Sequence, residues 1–537
     1  MDKTKIQTRL QSPADGEMSA GETTMLTNDE QHLAKLGYKQ EFFRHLGLFE
    51  SWAATYITIN FVSGIPILFG YAMYTGGPKA AFVNWTLVGG MSFIVSLALA
   101  EIAAAFPTAG SIYFWSYRLG GKRHGRLLCW MTAWWNWAGW ICIVPGVQQG
   151  STNFLLSALE IKYPGSPVIR QGWFAWLITT VGLVLAMLPN IISQRVLKLY
   201  FRFAIVIFFL LFAFYWIWFP IRAAGKFQSG SEVFNKFYNG INMGPEKQAS
   251  DAYAWTVGIL FGAWVFYGYD TTAHLAEETH EASDNVARGI WAGTLCSWIL
   301  SIPTLVIILF CMQDFDGIVS ATYSNNWAEY LVQLVGENGA ICVLVMLWLD
   351  STCTAAICFL SAQRVTFAIS RDGVLPYSRY FRKLNGARIP IHAALLVFVL
   401  SVVITCAVIG STVAFTAISA TATIVTNTSY LIPIAARHTI GKRDFQPAGF
   451  NLGRYSTIVG IISAMYIMFI FAVLTLPQLY PVTAQTLNYA PICITIVTLI
   501  SLVGWILPFG LGGRHWFEGP RRTIDEDSLG DGEPLHM

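Results

Sequence analysis

Charge is what this chain most lacks. Only 12% of its 537 residues are Asp, Glu, Lys or Arg, against about a quarter in ordinary soluble domains. Lys and Arg number 34 against 31 acids, a formal net charge of +3. With so small an excess and no basic tract, nucleic acid is excluded as a partner. The nine cysteines all fall in or at the ends of apolar runs, and none forms a CxxC pair or a metal-type cluster. They read as small buried hydrophobes, which excludes a disulfide framework and a zinc site. There is no HxxxH and no GxSxG, so a polytopic membrane enzyme lacks its chemistry; the expectation is a non-enzyme with no cofactor and no metal. The N-terminus opens MDKTKIQTRLQS and stays polar for over forty residues, which is not a secretory signal.

What the chain does have is apolar length. Hydrophobic residues make up 54%, with 20 tryptophans, and the mean hydropathy is +0.50. A bilayer-spanning helix needs about 20 mostly apolar residues. Twelve runs qualify, near 50–74, 82–105, 128–156, 172–189, 200–221, 252–275, 287–312, 339–362, 389–410, 412–434, 455–476 and 487–508. The expected class is therefore an all-α integral membrane protein of twelve transmembrane helices, with the lipid bilayer as its solvent. Lys and Arg placement orients it. With the N-terminus inside, 27 of the 34 basic residues fall on inside segments and 7 on outside loops. Both termini are expected in the cytosol. Residues 1–45 and 511–537 read as polar cytosolic tails, with 1–40 and the stretch after 514 expected to be disordered, and 46–510 as one integral membrane domain. A non-transporting nutrient sensor would be expected to carry a long structured tail, and these tails are short.

Two runs carry breakers. Ser63, Gly64 and Pro66 sit in the middle of ESWAATYITINFVSGIPILFGYAM. Proline removes a backbone donor and clashes with the preceding turn, and freed backbone groups at membrane depth are tolerated only against protein or a water-filled cavity. The sixth run ends AWVFYGYDTTAHLAEET, with Gly268 and Asp270 among aromatic rings. A charge at that depth costs at least about 2.5–3.5 kcal/mol, so Asp270 is expected to face the interior, paired or protonated, either as a proton-coupling or amine site or as a structural acid bonded to neighbouring helix ends. Interrupted spans at corresponding positions of two halves point to a transporter with a midplane site.

Three stretches resemble the amino acid–polyamine–organocation permeases: LAEIAAAFPTAGSIYFWSYRLGG (99–121), FYGYDTTAHLAEET (266–279) and SRDGVLP (370–376). Their order and spacing cover residues 50 to about 380, and the pattern is most similar to the fungal and plant branch with GABA permeases and amino acid/choline transporters. The resemblance implies a LeuT-like fold of five plus five inverted repeats (about 50–221 and 252–434), with spans one and six broken and two extra helices (about 455–508). It implies secondary active uptake of a small amino acid or GABA-like substrate, often coupled to protons. Plasma membrane is the expected location, with a vacuolar or other internal membrane as the alternative. It further implies that backbone amides of Ser63, Gly64 and Ile65 hold the substrate carboxylate, and that carbonyls of Phe266, Tyr267 and Tyr269 hold the amine. Trp264, six residues before the acid, matches an aromatic gate position. Two departures stand out. Val-Ser-Gly-Ile-Pro replaces the Gly-Ser-Gly of many relatives, and the fifth run has no interior lysine to serve as a built-in cation.

Other residues admit two readings each. Asp350 lies fourteen residues before Arg364, about 21 Å along a helix, which suits a mid-membrane cation or amine contact beside Trp348. Two mid-membrane acids keep open a second substrate class: choline, a polyamine or thiamine. Glu101 reads as a helix-end acid or gate partner. Glu277 and Glu278 read as gate acids paired with basic segments such as those at Arg118 or Arg364. Asn136, Gln148, Thr421, Thr423 and Asn427 face either the cavity or a neighbouring helix. His274 reads as a satisfied interfacial histidine. Asn84 begins a glycosylation sequon at a membrane edge.

Overall fold

The computed structural model describes residues 28–410 and 414–521. Every extended element among them is a helix; pairing of strand type is limited to three isolated bridges. In chain order the helices used below are α1 (Asn28–Lys35), α2 (Leu48–Thr58), α3 (Phe61–Ile67), α4 (Phe69–Tyr74), α5 (Gly77–Ala105), α6 (Ser111–Lys162), α7 (Gly172–Ile192) and α8 (Gln194–Ala213). They continue with α9 (Ala282–Cys311), α10 (Trp327–Arg371), α11 (Ile391–Thr405), α12 (Ala414–His438), α13 (Ser456–Leu474) and α14 (Ala490–Ile506).

Among the described residues eight helices are long and apolar enough to cross a membrane, fewer than the twelve apolar runs. The difference has local causes. The first run is cut into α2, α3 and α4. The sixth is cut into Asp251–Val257, Leu260–Ala263 and Thr271–His274. The tenth, α12, is diluted by Ser419, Thr421, Thr423, Thr426, Asn427 and Ser429, and the last, α14, has only 17 residues. Conversely, α6 and α10 are longer than one span, because each contains a glycine bend, Gly121 (φ 63°) and Gly336 (φ 79°).

The helices are turned inside out relative to a soluble bundle. On α7 the exposed residues Trp173, Leu177, Val181, Leu185, Leu188 and Ile192 recur every three or four positions, one apolar stripe along the helix. Polar groups sit inside instead: Trp85 Nε1 donates to Ser301 Oγ at 2.8 Å between α5 and α9. A continuous apolar exterior of this kind is what lipid requires. Inside, α6 packs against both α10 and α12, and α9 against α5 and α2. The interrupted first and sixth runs are enclosed by this frame.

Two terminal segments differ from the expected polar tails. From Asn28 onward the chain is structured: Leu33, Tyr38 and Phe42 are buried, and the amides of His45 and Leu46 donate to the Glu278 carbonyl at 2.8 and 3.0 Å. At the other terminus Phe517 is buried and its carbonyl accepts from Arg126 Nε at 2.6 Å. A few apolar anchors and backbone bonds suffice to dock segments whose overall composition is polar. Residues 1–27 and 522–537 lie outside the described residues. Asn84 is also corrected: its side chain is buried and donates to the Trp255 carbonyl at 2.9 Å, so the sequon is not available to a glycan.

The break in the first run is stabilised by side chains from distant elements. Pro66 lacks the N–H that would bond the Val62 carbonyl, and Tyr215 Oη takes that acceptor at 2.9 Å. Tyr215 lies in a π-helical turn, Phe214–Trp218, that follows α8. Asn325 Nδ2 donates to the Pro66 and Ile67 carbonyls at 3.2 and 3.4 Å. Tyr215→Phe should therefore lower the melting temperature of the detergent-purified protein, by the cost of one unmet buried acceptor, about 1–3 kcal/mol. Pro66→Ala restores the missing N–H, so the same Tyr215→Phe change made on Pro66→Ala should cost clearly less; strict additivity in that double-mutant cycle would refute the assignment.

Candidate functional site

Asn60 organises the first break. It caps α3: its Oδ1 accepts the Ser63 N–H at 3.2 Å, and its carbonyl accepts the Gly64 N–H at 2.8 Å. This is an ordinary N-cap, placed by an amide side chain three residues before the group it satisfies. The structure thus moves the break from Ser63–Pro66 to two points either side, Ile59–Asn60 and Leu68. It also differs from the expectation that the Ser63 and Gly64 amides are free for a carboxylate, since both are already bonded.

The second break runs from Trp264 to Asp270. The last helical bond before it joins Phe266 N to the Gly262 carbonyl at 2.9 Å, and the chain turns again only where Thr271 N meets the Gly268 carbonyl at 3.1 Å. Gly268 has φ +73°, and a Cβ there would meet Thr58 Cγ2 at 3.0 Å, so both the backbone and the space favour glycine. The two breaks touch directly: a Cβ on Gly64 would come within 2.6 Å of Val265 Cγ2.

Between them lies a cavity of about 30 Å³, walled by Thr58, Asn60, Ser63, Gly64 and Ile67 from the first run and by Trp264, Val265 and Tyr267 from the sixth. Ile143 and Val147 of α6 and Thr354 and Cys358 of α10 complete it. That volume holds about one water. The wall carries hydroxyls, one amide, a thiol and aromatic rings, and no charged side chain. The Tyr267 hydroxyl is buried without a partner, and its ring lies 5.4 Å from that of Trp264.

Four of the expected site residues line this cavity: Ser63, Gly64, Trp264 and Tyr267. The others do not. Ile65 is buried within α3. Phe266 points to Trp85, 5.0 Å between ring centroids, and Tyr269 stacks obliquely on Tyr430 at 5.2 Å. Trp348 is off the wall; its carbonyl accepts from Ser151 Oγ at 2.8 Å.

Asp270 is completely buried and fully engaged. Its Oδ1 accepts from Tyr430 Oη at 2.5 Å, and its Oδ2 from Asn136 Nδ2 at 3.3 Å and Trp140 Nε1 at 3.4 Å; His274 Nε2 lies 2.9 Å from Oδ2 and also accepts from Trp140 Nε1 at 3.1 Å. These contacts tie the sixth run to α6 and α12. Asn136 and His274 receive their roles from the same lock. Asp350 stands behind the wall, accepting from Asn60 Nδ2 at 2.6 Å.

The acids at the end of the bundle that carries both docked termini are paired. Glu278 Oε1 lies 2.6 Å from Arg364 Nε, an ion pair whose angle does not make a hydrogen bond. Glu277 pairs with Arg371 at 3.4 Å, not with Arg118, and accepts the Ala109 N–H at 3.1 Å. Asp372 gathers Tyr113 Oη at 2.8 Å, Tyr38 Oη at 3.2 Å and the Arg521 N–H at 3.2 Å. Burial pushes the Asp372 carboxyl above its ordinary range, against the pull of Arg371. The Glu41 carboxyl is pushed up by the same cause. Glu101 closes a different seam, accepting from Ser456 Oγ at 2.5 Å and the Leu452 N–H at 3.2 Å, which ties α5 to the start of α13.

Sequence reasoning missed Asn60, Thr58, Thr354 and Cys358. Asn60 had a signal: an Asn three residues before Ser-Gly at the centre of an apolar run is an N-cap pattern. Thr354 lies four residues after Asp350, hence on the same helix face.

A family model described as amino acid permease matches residues 49–499. The thiamine transporter thi9 of Schizosaccharomyces pombe is 29% identical over 503 residues, covering 89% of this chain and 85% of that protein. The amino-acid permease BAT1 of Arabidopsis thaliana is 30% identical over 525 residues, covering 93% and 98%. A putative polyamine transporter of Candida albicans is 25% identical over 531 residues, covering 95% and 92%.

The geometry at Asp270 gives a stability prediction. Asp270→Asn replaces an acceptor with an amide that meets donors, and breaking a buried charged network costs about 3–5 kcal/mol. Its melting temperature should fall well below that of Tyr430→Phe, which removes one donor. Equal melting of Asp270→Asn and the unmodified protein would refute the lock.

Proposed function

The chain belongs to the amino acid permease family, and from that premise we propose that it is a secondary active transporter of a small zwitterionic amino acid, GABA-like ω-amino acids included, driven by protons. In this reading the twelve apolar runs are twelve spans, arranged as a LeuT-like pair of five-span inverted repeats with two further helices. The Lys and Arg bias puts both termini in the cytosol, and the working location is the plasma membrane. The end of the bundle with the Glu277–Arg371 and Glu278–Arg364 pairs is then the cytosolic gate. The cavity between the breaks is the substrate site in a closed state, and it must widen in the cycle, since about one water fills it.

The observation that carries the reading is the neutral wall of that cavity. A zwitterion brings its own balancing charge and needs only dipoles at each end. The hydroxyls of Thr58, Ser63 and Thr354 and the Asn60 amide are the polar groups of the wall; each is bonded within the protein, to Ala54, Asp350 or Thr354, so a carboxylate takes them by exchange as the site widens. Of the residues expected to hold the amine, Tyr267 is on the wall, and the ring faces of Trp264 and Tyr267 suit an ammonium. A cationic amine has no carboxylate and calls for a counter-ion at the wall, yet Asp270 is enclosed by four polar partners and Asp350 is screened by Asn60. Thiamine and polyamine carriers among the relatives keep the cationic class as the second reading.

Thermal stabilisation of the detergent-purified protein against GABA, neutral, acidic and basic amino acids, choline, thiamine and spermidine tests the choice. A ligand at one hundred times its dissociation constant adds about 2.7 kcal/mol. Stabilisation by zwitterions is expected; stabilisation by choline, thiamine or spermidine alone would replace this reading with organic-cation transport. Gly64→Leu drives a side chain into Val265 and the cavity, and should abolish both stabilisation and uptake while the protein still inserts.

A further inference from the structure

Asp350 is the buried acid that nothing above uses. It is 1% exposed, and its partners are neutral. Asn60 Nδ2 donates to its Oδ2 at 2.6 Å and also to Thr354 Oγ1 at 2.9 Å. The Ser63 side chain bonds the same carboxyl. Of the titratable groups that face it, Tyr215 comes from the π-helical turn after α8 and Cys353 from α10 itself, with Tyr200 of α8 bonded to Cys353. From α6 and α7 the polar groups near this part of α10 are Ser151, bonded to Thr352, and Asn190, bonded to the Ala356 carbonyl. Among the described residues no Lys, Arg or His acts on the carboxyl. The contrast with the other acids is direct: Asp270 has His274, Glu277 has Arg371 and Glu278 has Arg364.

An ionised carboxylate held at membrane depth by neutral donors alone is costly, and gaining a proton removes that cost. Asn60 connects this acid to two things at once. It lines the cavity, and its Oδ1 holds the Ser63 N–H that starts α3. A proton on Asp350 removes the negative charge that draws the Asn60 amide, and with it one restraint on the cap of the first break.

We propose that Asp350 carries the coupling proton, taking it from hydronium as an O–H bond on the carboxyl when the cavity widens to reach it and releasing it to water on the other side, with Asn60 relaying its charge state to the break of the first span. The proposal rests on the transport reading above and assigns the coupling role to Asp350 in place of Asp270.

The test uses the full chain in proteoliposomes loaded with a pH-sensitive dye, with GABA and L-alanine as the added substrates, beside the thermal assay. The unmodified protein should acidify the lumen on substrate entry and accumulate substrate along an inward proton gradient. Asp350→Asn should keep ligand-induced stabilisation but lose acidification and at least tenfold of the gradient-driven accumulation, with Asp350→Glu restoring part of both. Asn60→Ala removes a donor that favours the ionised acid, so the pH midpoint of uptake should move upward. Wild-type acidification by Asp350→Asn, or an unmoved midpoint in Asn60→Ala, overturns the proposal while leaving the transport reading intact. Accumulation driven by a sodium gradient and indifferent to pH also overturns it, making the acid a sodium ligand. Absence of stabilisation and of exchange in the unmodified protein, for every ligand of the panel, defeats both.

Discussion

A backbone group freed inside a bilayer has no water to turn to, and the centre of this protein is arranged around that constraint. The first run is interrupted at Ile59–Asn60 and Leu68 and the sixth between Trp264 and Asp270, and these interruptions, with the N–H that Pro66 lacks, leave carbonyls or amides without helical partners. Side chains meet them, two from far along the chain and one from the cap residue itself. Tyr215 reaches the Val62 carbonyl, Asn325 the Pro66 and Ile67 carbonyls, and Asn60 the Ser63 amide. The π-helical turn at Phe214–Trp218 carries Tyr215, and turns of that kind often mark functional sites. What remains between the two breaks is a small polar space.

The same scarcity of water sorts the buried acids. Each must be given donors, a cation or a proton. Asp270 has four polar partners from three helical regions, so it holds structure. Glu277 and Glu278 have arginines, so they close one end of the bundle, beneath the docked N-terminal segment. Glu101 has a serine and a backbone amide, and joins two helices. Asp350 has neutral groups alone. The differences between these roles follow from partners, not from depth or residue type.

Much of this was readable in the sequence, and the unreadable part has a common character. The apolar runs, the interruptions near Gly64 and Gly268, and the aromatic residues Trp264 and Tyr267 all follow from local composition or short spacing. The direction of Asp270 does not: its tightest partner, Tyr430, lies 160 residues away. Nor does the engagement of the Ser63 and Gly64 amides, which a breaker motif suggests are free until Asn60 is seen to cap them. The docked terminal segments were hidden because their polar composition outweighs three or four buried anchors.

The sequence by itself determined that this is a helical protein of the bilayer, interrupted at two places, because the hydrocarbon acts on each run of residues separately and every run must satisfy it alone. It determined too that the interruptions are where chemistry can occur. Only the tertiary structure decided which acid is locked and which is left with neutral company. That choice depends on residues brought together across 160 positions for Asp270 and Tyr430 and 290 for Asn60 and Asp350. A charge buried in low dielectric takes its state from whatever atoms surround it, and those atoms are set by helix packing, not by neighbours in the chain.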